Sequence, residues 1–101
     1  MKITVQQALD SLRTHEGKTF LELFRQGATS VEIYQPVGHD PQQPHAQDEI
    51  YVVISGHGIF QDGEEKYPFG PGDVIFVPAG KEHRFFEFSA DFKTWVIFFG
   101  A

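Results

Sequence analysis

The sequence predicts an all-β domain, a sandwich or closed barrel, carrying one short helix at its N-terminus. Three observations carry that reading. Eight short segments rich in β-branched and aromatic residues follow one another closely. Gly and Pro turn signals separate them, as in small sandwiches and barrels. A helical period, finally, occurs only near the start of the chain. The 101 residues make one ordinary domain, long enough to bury roughly 60–70% of the surface the unfolded chain exposes. Residues 1–17 form the helical segment and 18–101 the barrel.

The helix begins at Thr4, an N-cap with Gln7 three residues on as its capping-box partner. Val5, Ala8, Leu9 and Leu12 share one face, and Gly17 is the expected stop. Segments 19–25 and 29–35 follow, joined by the hairpin-length loop Gln26-Gly27-Ala28. In the second, Val31, Ile33 and Gln35 share one face, and Ser30, Glu32 and Tyr34 the other. The stretch from Pro36 to Pro44 is too punctuated for helix or central strand. Further strands read as 48–54, 58–61, 64–67, 73–77, 83–88 and 94–99. Asp62-Gly63 is a hairpin signal, while Gly70-Pro71-Gly72 and Pro78-Ala79-Gly80 bracket the strand at 73–77.

Three of these strands are apolar on both faces. Ile50, Val52 and Ile54 point one way, Tyr51 and Val53 the other, and 73–77 and 94–99 behave alike. A lone antiparallel barrel leaves one face wet. Something therefore covers the outside, and with one short helix available the expectation is a homodimer.

Composition narrows the function. Eight basic against fourteen acidic residues give a net charge of −6, with no basic stripe to track phosphates, so nucleic acid is not an expected partner. No cysteine is present, which excludes disulfides, Fe–S clusters and cysteine zinc sites. The longest apolar run, Trp95 to Phe99, is too short for a membrane span. The N-terminal stretch is polar, unlike a secretory signal, so the expected compartment is the cytoplasm. Nucleophile elbows, phosphate loops and zincin helices are not found.

Polar residues able to hold a metal gather at 39–49 and recur at His83. Gln43, His45, Gln47 and Glu49 have the same parity, so an extended strand would project all four from one face. Two His plus one carboxylate with positions left open is an arrangement used by non-haem iron. A solvated polar rim is the plainer reading of the same stretch. Tyr51 and Val53 continue the Glu49 face. Ile75 and Val77, or else Val74 and Phe76, supply one wall. Phe85 and Glu87 share parity with His83 and are expected to look inward. Tyr34 and Trp95 are further candidates for lining a pocket, with plain core as the alternative.

Two spaced motifs give the chain a resemblance to the cupin superfamily, in particular its small single-domain bacterial members. Gly38 opens the first; Gln43 and His45 occupy its His-x-His positions, Glu49 follows after three residues and Gly56 after six more. In the second, Gly72, Pro78, Gly80 and His83 all match, and Glu87 replaces the final Asn. The motifs cover 38–87, about half the chain. The resemblance implies a double-stranded β-helix, or jelly-roll barrel, with the site inside its mouth. It also implies His45, Glu49 and His83 as ligands of a divalent metal (Fe, Mn, Ni or Zn). Gln43 stands where such enzymes usually carry His, and Gln47 is the rival for that fourth place. The implied function is a metal-dependent enzyme, oxygenase- or isomerase-like, acting on a small organic molecule. A non-catalytic sensing module and a structural dimer braced by its metal are the alternatives.

Overall fold

The computed structural model describes residues 1–100. The helix α1 spans Val5–Arg13 and is capped as expected: Thr4 Oγ1 accepts from the Gln7 N–H, and Gln7 Oε1 accepts from the Thr4 N–H. It ends before Gly17. Thr14 Oγ1 and His15 Nδ1 both turn back onto the Ser11 carbonyl, so this terminal acceptor is satisfied without a left-handed residue at the helix end.

Eight strands follow: β1 Phe20–Gln26, β2 Thr29–Tyr34, β3 Asp48–Ser55, β4 Gly58–Asp62, β5 Glu65–Phe69, β6 Val74–Val77, β7 His83–Phe86 and β8 Lys93–Phe99. They form a jelly roll of two antiparallel sheets, ordered β1-β2-β8-β3-β6 and β5-β4-β7. Alternation along the strands then decides what meets inside. Glu49, Tyr51 and Val53 of β3, Ile75 and Val77 of β6, Val96 of β8, Phe60 of β4 and His83 and Phe85 of β7 are all buried. Val74 and Phe76 are 67% and 51% exposed, so Ile75 and Val77 form the wall.

The outer face of the larger sheet is apolar because α1 lies on part of it. Ala8 and Leu12 bury Ile33 there, packed with Leu21, Leu23, Ile54 and Trp95. Trp95 thus lines an outer-face groove, with Ile3, Phe24 and Val52, and not the cavity beside His45. Its β8 neighbours Thr94 and Val96 are the buried ones, and Trp95 itself pairs with Ile33 and Val52 on the outer face. Among the described residues no helix is long and apolar enough to cross a membrane.

One end of the interior is closed by aromatic rings. Phe85 lies 4.8 Å from Tyr51, 4.8 Å from Phe60 and 4.7 Å from Phe92 between ring centres, and Phe69 adds a contact to Phe92 at 4.9 Å. Gly56 is required here. Its φ is +88°, and a Cβ would come within 2.5 Å of the Phe92 Cα.

Candidate metal centre

The opposite end is polar. Glu49 enters on the inward face of β3, and His83 opens β7 directly after the Pro78-Ala79-Gly80 turn. His45 comes from the loop before β3. That loop and the turn are clasped together: the Gly80 N–H donates to the His45 carbonyl at 2.8 Å, and the Ala79 N–H to Asp48 Oδ1 at 2.8 Å. The clasp brings the two imidazoles to 5.5 Å between ring centres, with Phe98 edge-on to His45 at 4.9 Å.

One ligand atom from each of His45, Glu49 and His83 lies within 4.8 Å of the others. His83 Nε2 is 2.8 Å from Glu49 Oε1, and His45 Nε2 is 4.0 Å from the same oxygen. The 2.8 Å approach lies off the hydrogen-bond direction. His83 Nε2 is therefore buried without a hydrogen-bond partner, and Glu49 Oε2, the carboxylate's other oxygen, has none either. Two atoms about 2.1 Å from one ion, at right angles, sit about 3 Å apart, so the His83–Glu49 spacing is also one that two ligands of a shared cation would have. The Lys81 carbonyl accepts from His83 Nδ1–H at 2.9 Å, which leaves Nε2 turned toward Glu49, as an outer partner does for a ligating His. Burial opposes charge on His83, yet the Glu49 carboxylate and the Lys81 carbonyl outweigh it and raise its pKa above the ordinary value.

A second polar cluster adjoins the first. Asp40, 2% exposed, accepts from the Tyr34 hydroxyl, the Phe85 N–H, the Gln42 N–H and Gln42 Nε2. Gln42 Oε1 in turn accepts from the Tyr51 hydroxyl at 2.9 Å and lies 3.2 Å from His45 Nε2. Burial, then the Glu49 charge, keeps the Tyr51 phenol well above its ordinary pKa, so it remains a donor.

Several expected positions change. Gln43 is exposed, on the rim of a polar cavity of about 230 Å³ with Gln61, Glu82, His83 and Arg84. Gln47 turns away, donating to the carbonyls of Ala28 and Gly100. Parity misplaced both because β3 starts at Asp48 and the Pro-rich loop before it has no strand period. Glu87 is exposed with φ +49°, since β7 ends at Phe86 and the alternation stops there. Tyr51, Val53 and Phe85 lie in the packed interior beneath the site, whereas Tyr34 does line a cavity. That cavity, about 320 Å³ and open to solvent, is bounded by Phe20, Glu32, Tyr34, Gln42, His45 and Phe98, among others. Burial, then the charges of Glu22 and Glu49, raises the Glu32 carboxyl above its ordinary pKa. Asp40, Gln42 and Glu32 were not singled out from sequence. An acid between Gly38-His39 and Pro41 is the one signal that could have drawn attention to Asp40.

The family model for the cupin domain matches residues 30–97. An uncharacterised protein of Streptomyces coelicolor is 35% identical over 100 residues, 97% of this chain and 95% of that protein. The acireductone dioxygenase of Exiguobacterium sibiricum is 39% identical over 54 residues, 48% of this chain and 30% of the enzyme. That of Rhodopseudomonas palustris is 51% identical over 45 residues, 41% of this chain and 27% of the enzyme. The match thus spans under a third of either enzyme. Among solved structures, a protein from Neisseria meningitidis has a TM-score of 0.77 at 16% identity, over 99% of this chain and 100% of that one. A cupin 2 conserved barrel domain protein from Salinispora arenicola reaches 0.68 at 18% identity, over 81% and 75%. At such identities the likeness is one of fold.

Proposed function

The chain belongs to the cupin family, and on that premise we propose that it is a metal-dependent enzyme, of oxygenase or isomerase type, acting on a small organic molecule. The observation that carries the proposal is the convergence of His45, Glu49 and His83, with Glu49 Oε2 and His83 Nε2 buried and unpaired. A buried polar atom left without a partner costs about 1–3 kcal/mol, more when charged, and a divalent cation relieves that cost. Two imidazoles and a carboxylate suit Fe, Mn, Ni or Zn. Bound there, the ion would supply Lewis acidity and, if iron, access to dioxygen chemistry.

The chain's own residues would do the rest. Phe20, Val96, Phe98 and Pro41 form an apolar wall against which a substrate loses water, and His45 stands on the same cavity. Glu32 is the carboxyl on that cavity, and its raised pKa suits it to holding or accepting a substrate proton. The open cavity supports a catalytic or ligand-binding site over a bracing metal. Similarity to segments of acireductone dioxygenases supports the oxygenase arm. The test is elemental analysis of the protein after loading, beside His83→Ala, followed by oxygen uptake with small enediols. A chain that takes up no divalent ion ends the proposal. Metal bound without oxygen uptake or isomerisation of any small substrate would favour the sensing module.

A homodimer and a cytoplasmic setting belong to the same proposal. Exposed Val74 and Phe76 on β6, an edge of the larger sheet, support the dimer. Light scattering showing a monomer at micromolar concentration would remove it.

A further inference from the structure

A fourth donor is offered by a residue that the motif did not indicate. We infer that Gln42 Oε1 is a ligand of the metal held by His45, Glu49 and His83, and that Asp40 is the positioning residue that turns this oxygen inward. The inference rests on the metal-centre reading above.

The orientation of the Gln42 amide is determined by its neighbours. Gln42 Nε2 is 2.8 Å from Asp40 Oδ2, and the Gln42 N–H donates to Oδ1 at 3.2 Å. The same carboxylate takes the Phe85 N–H at 3.0 Å and the Tyr34 hydroxyl, so it is anchored from β2, β7 and the loop together. Rotating the amide by half a turn would set its oxygen against the Asp40 carboxylate, acceptor against acceptor. The oxygen must therefore point away from Asp40, toward Tyr51 and His45. A carbonyl oxygen has two lone pairs. The Tyr51 hydroxyl engages Oε1 at 2.9 Å, and His45 Nε2, itself one of the converging donor atoms, is within hydrogen-bond distance of it at 3.2 Å, a contact that an ion held by that nitrogen would replace. That spacing is again close to the 3 Å edge expected between two ligands of one ion. Gln43, one residue on, is exposed, and Gln47 is committed to two carbonyls. Neither competes.

The consequence is a donor set of two imidazole nitrogens and two oxygens. An amide oxygen is a hard ligand that suits Mn²⁺ better than Cu²⁺ or Zn²⁺. Relative to a set with a third imidazole, this centre shifts its preference toward manganese and ferrous iron.

The experiment is a competition titration of the metal-free protein with Mn²⁺ and with Zn²⁺, for wild type, Gln42→Ala, Gln42→His, Gln43→Ala and Asp40→Asn. Gln42→Ala is expected to lose about tenfold or more in Mn²⁺ affinity and less for Zn²⁺. Gln42→His should move the ratio toward Zn²⁺. Gln43→Ala should behave as wild type. Asp40→Asn should lose about ten- to a hundredfold for Mn²⁺, as outer partners of ligands do, with the ratio shifted as in Gln42→Ala. A merely structural role for Asp40 would lower thermal stability and leave that ratio unchanged. Should a variant fail to fold, the wild type still decides. In ¹⁵N-labelled protein, Co²⁺ should displace the Gln42 side-chain amide resonance far more than that of Gln43. Metal binding unaffected by Gln42→Ala, or lost in Gln43→Ala, overturns this inference and leaves the metal centre standing. A wild type that binds neither Mn²⁺ nor Zn²⁺ removes both.

Discussion

The two ends of the barrel are made by the same strands and filled by opposite chemistry. On β3, Tyr51 and Val53 point into the aromatic end while Glu49, on the same face, lies at the polar end; on β7, Phe85 and His83 divide in the same way. At the closed end Phe60, Phe69, Phe85 and Phe92 pack ring against ring among aliphatic side chains, and nothing there asks for a partner from outside. The open end leaves Glu49 Oε2 and His83 Nε2 without hydrogen bonds, the two atoms on which the metal-centre proposal rests. The closed end supplies stability, and the rigid strands that carry it hold the ligand atoms of the open end in place.

If that division is right, the closed end should show the largest effect on folding. Gly56→Ala combines a left-handed backbone with a 2.5 Å overlap against the Phe92 backbone. It should cost about 3 kcal/mol or more, beyond the ordinary strain of such a position, measured by urea unfolding. A cost under 1 kcal/mol would mean that the Phe92 segment can move aside and that the end is not rigid. His83→Ala, at the open end, should do the reverse. We expect metal content to fall to background while the metal-free protein unfolds within about 1–2 kcal/mol of wild type, since the removed imidazole is unpaired at Nε2. A loss of folding comparable to that of Gly56→Ala would erase the distinction between the two ends.

A pH series sharpens the comparison further. His83 has a raised pKa in the folded protein. It therefore contributes stability to the metal-free protein that is fully present below its unfolded pKa of about 6.5. That contribution is lost as pH rises through the higher folded value. Metal binding has the opposite sign, because a ligating imidazole must be neutral. Lowering the pH through this window should stabilise the metal-free protein and weaken metal affinity together, and His83→Ala should flatten the first trend. A metal-free stability that rises with pH across the same window would contradict the arrangement. The smallest effect belongs to neither end. Thr4→Ala removes the cap of α1 and should cost about 1 kcal/mol, with metal affinity unchanged. A larger loss would show that the helix supports the barrel more than its few buried residues suggest.

Much of this is legible in the sequence. The strands, the Thr4–Gln7 cap and the burial of Glu49, Tyr51, Val53, His83 and Phe85 follow from local chemistry. Strand alternation groups residues by face wherever a strand exists, and the Pro78-Ala79-Gly80 turn comes just before His83. The failures fall where alternation has no hold. Glu87 lies past the end of β7, and Gln43 and Gln47 lie before the start of β3. Trp95 sits on a strand that is apolar on both faces, so its own sequence does not say which face meets the interior.

The sequence by itself determined the all-β class, the single short helix and the inward faces of β3 and β7, because each depends on residues only a few positions apart. The tertiary structure decided which face of β8 lies under α1, which wall of β6 turns inward, and that Gln42 rather than Gln43 or Gln47 faces His45. Those choices depend on partners distant in the chain: α1 on the outer sheet, and Asp40 anchored by Tyr34 and Phe85. A loop without a period takes its orientation from whatever holds it, and here that is a buried carboxylate.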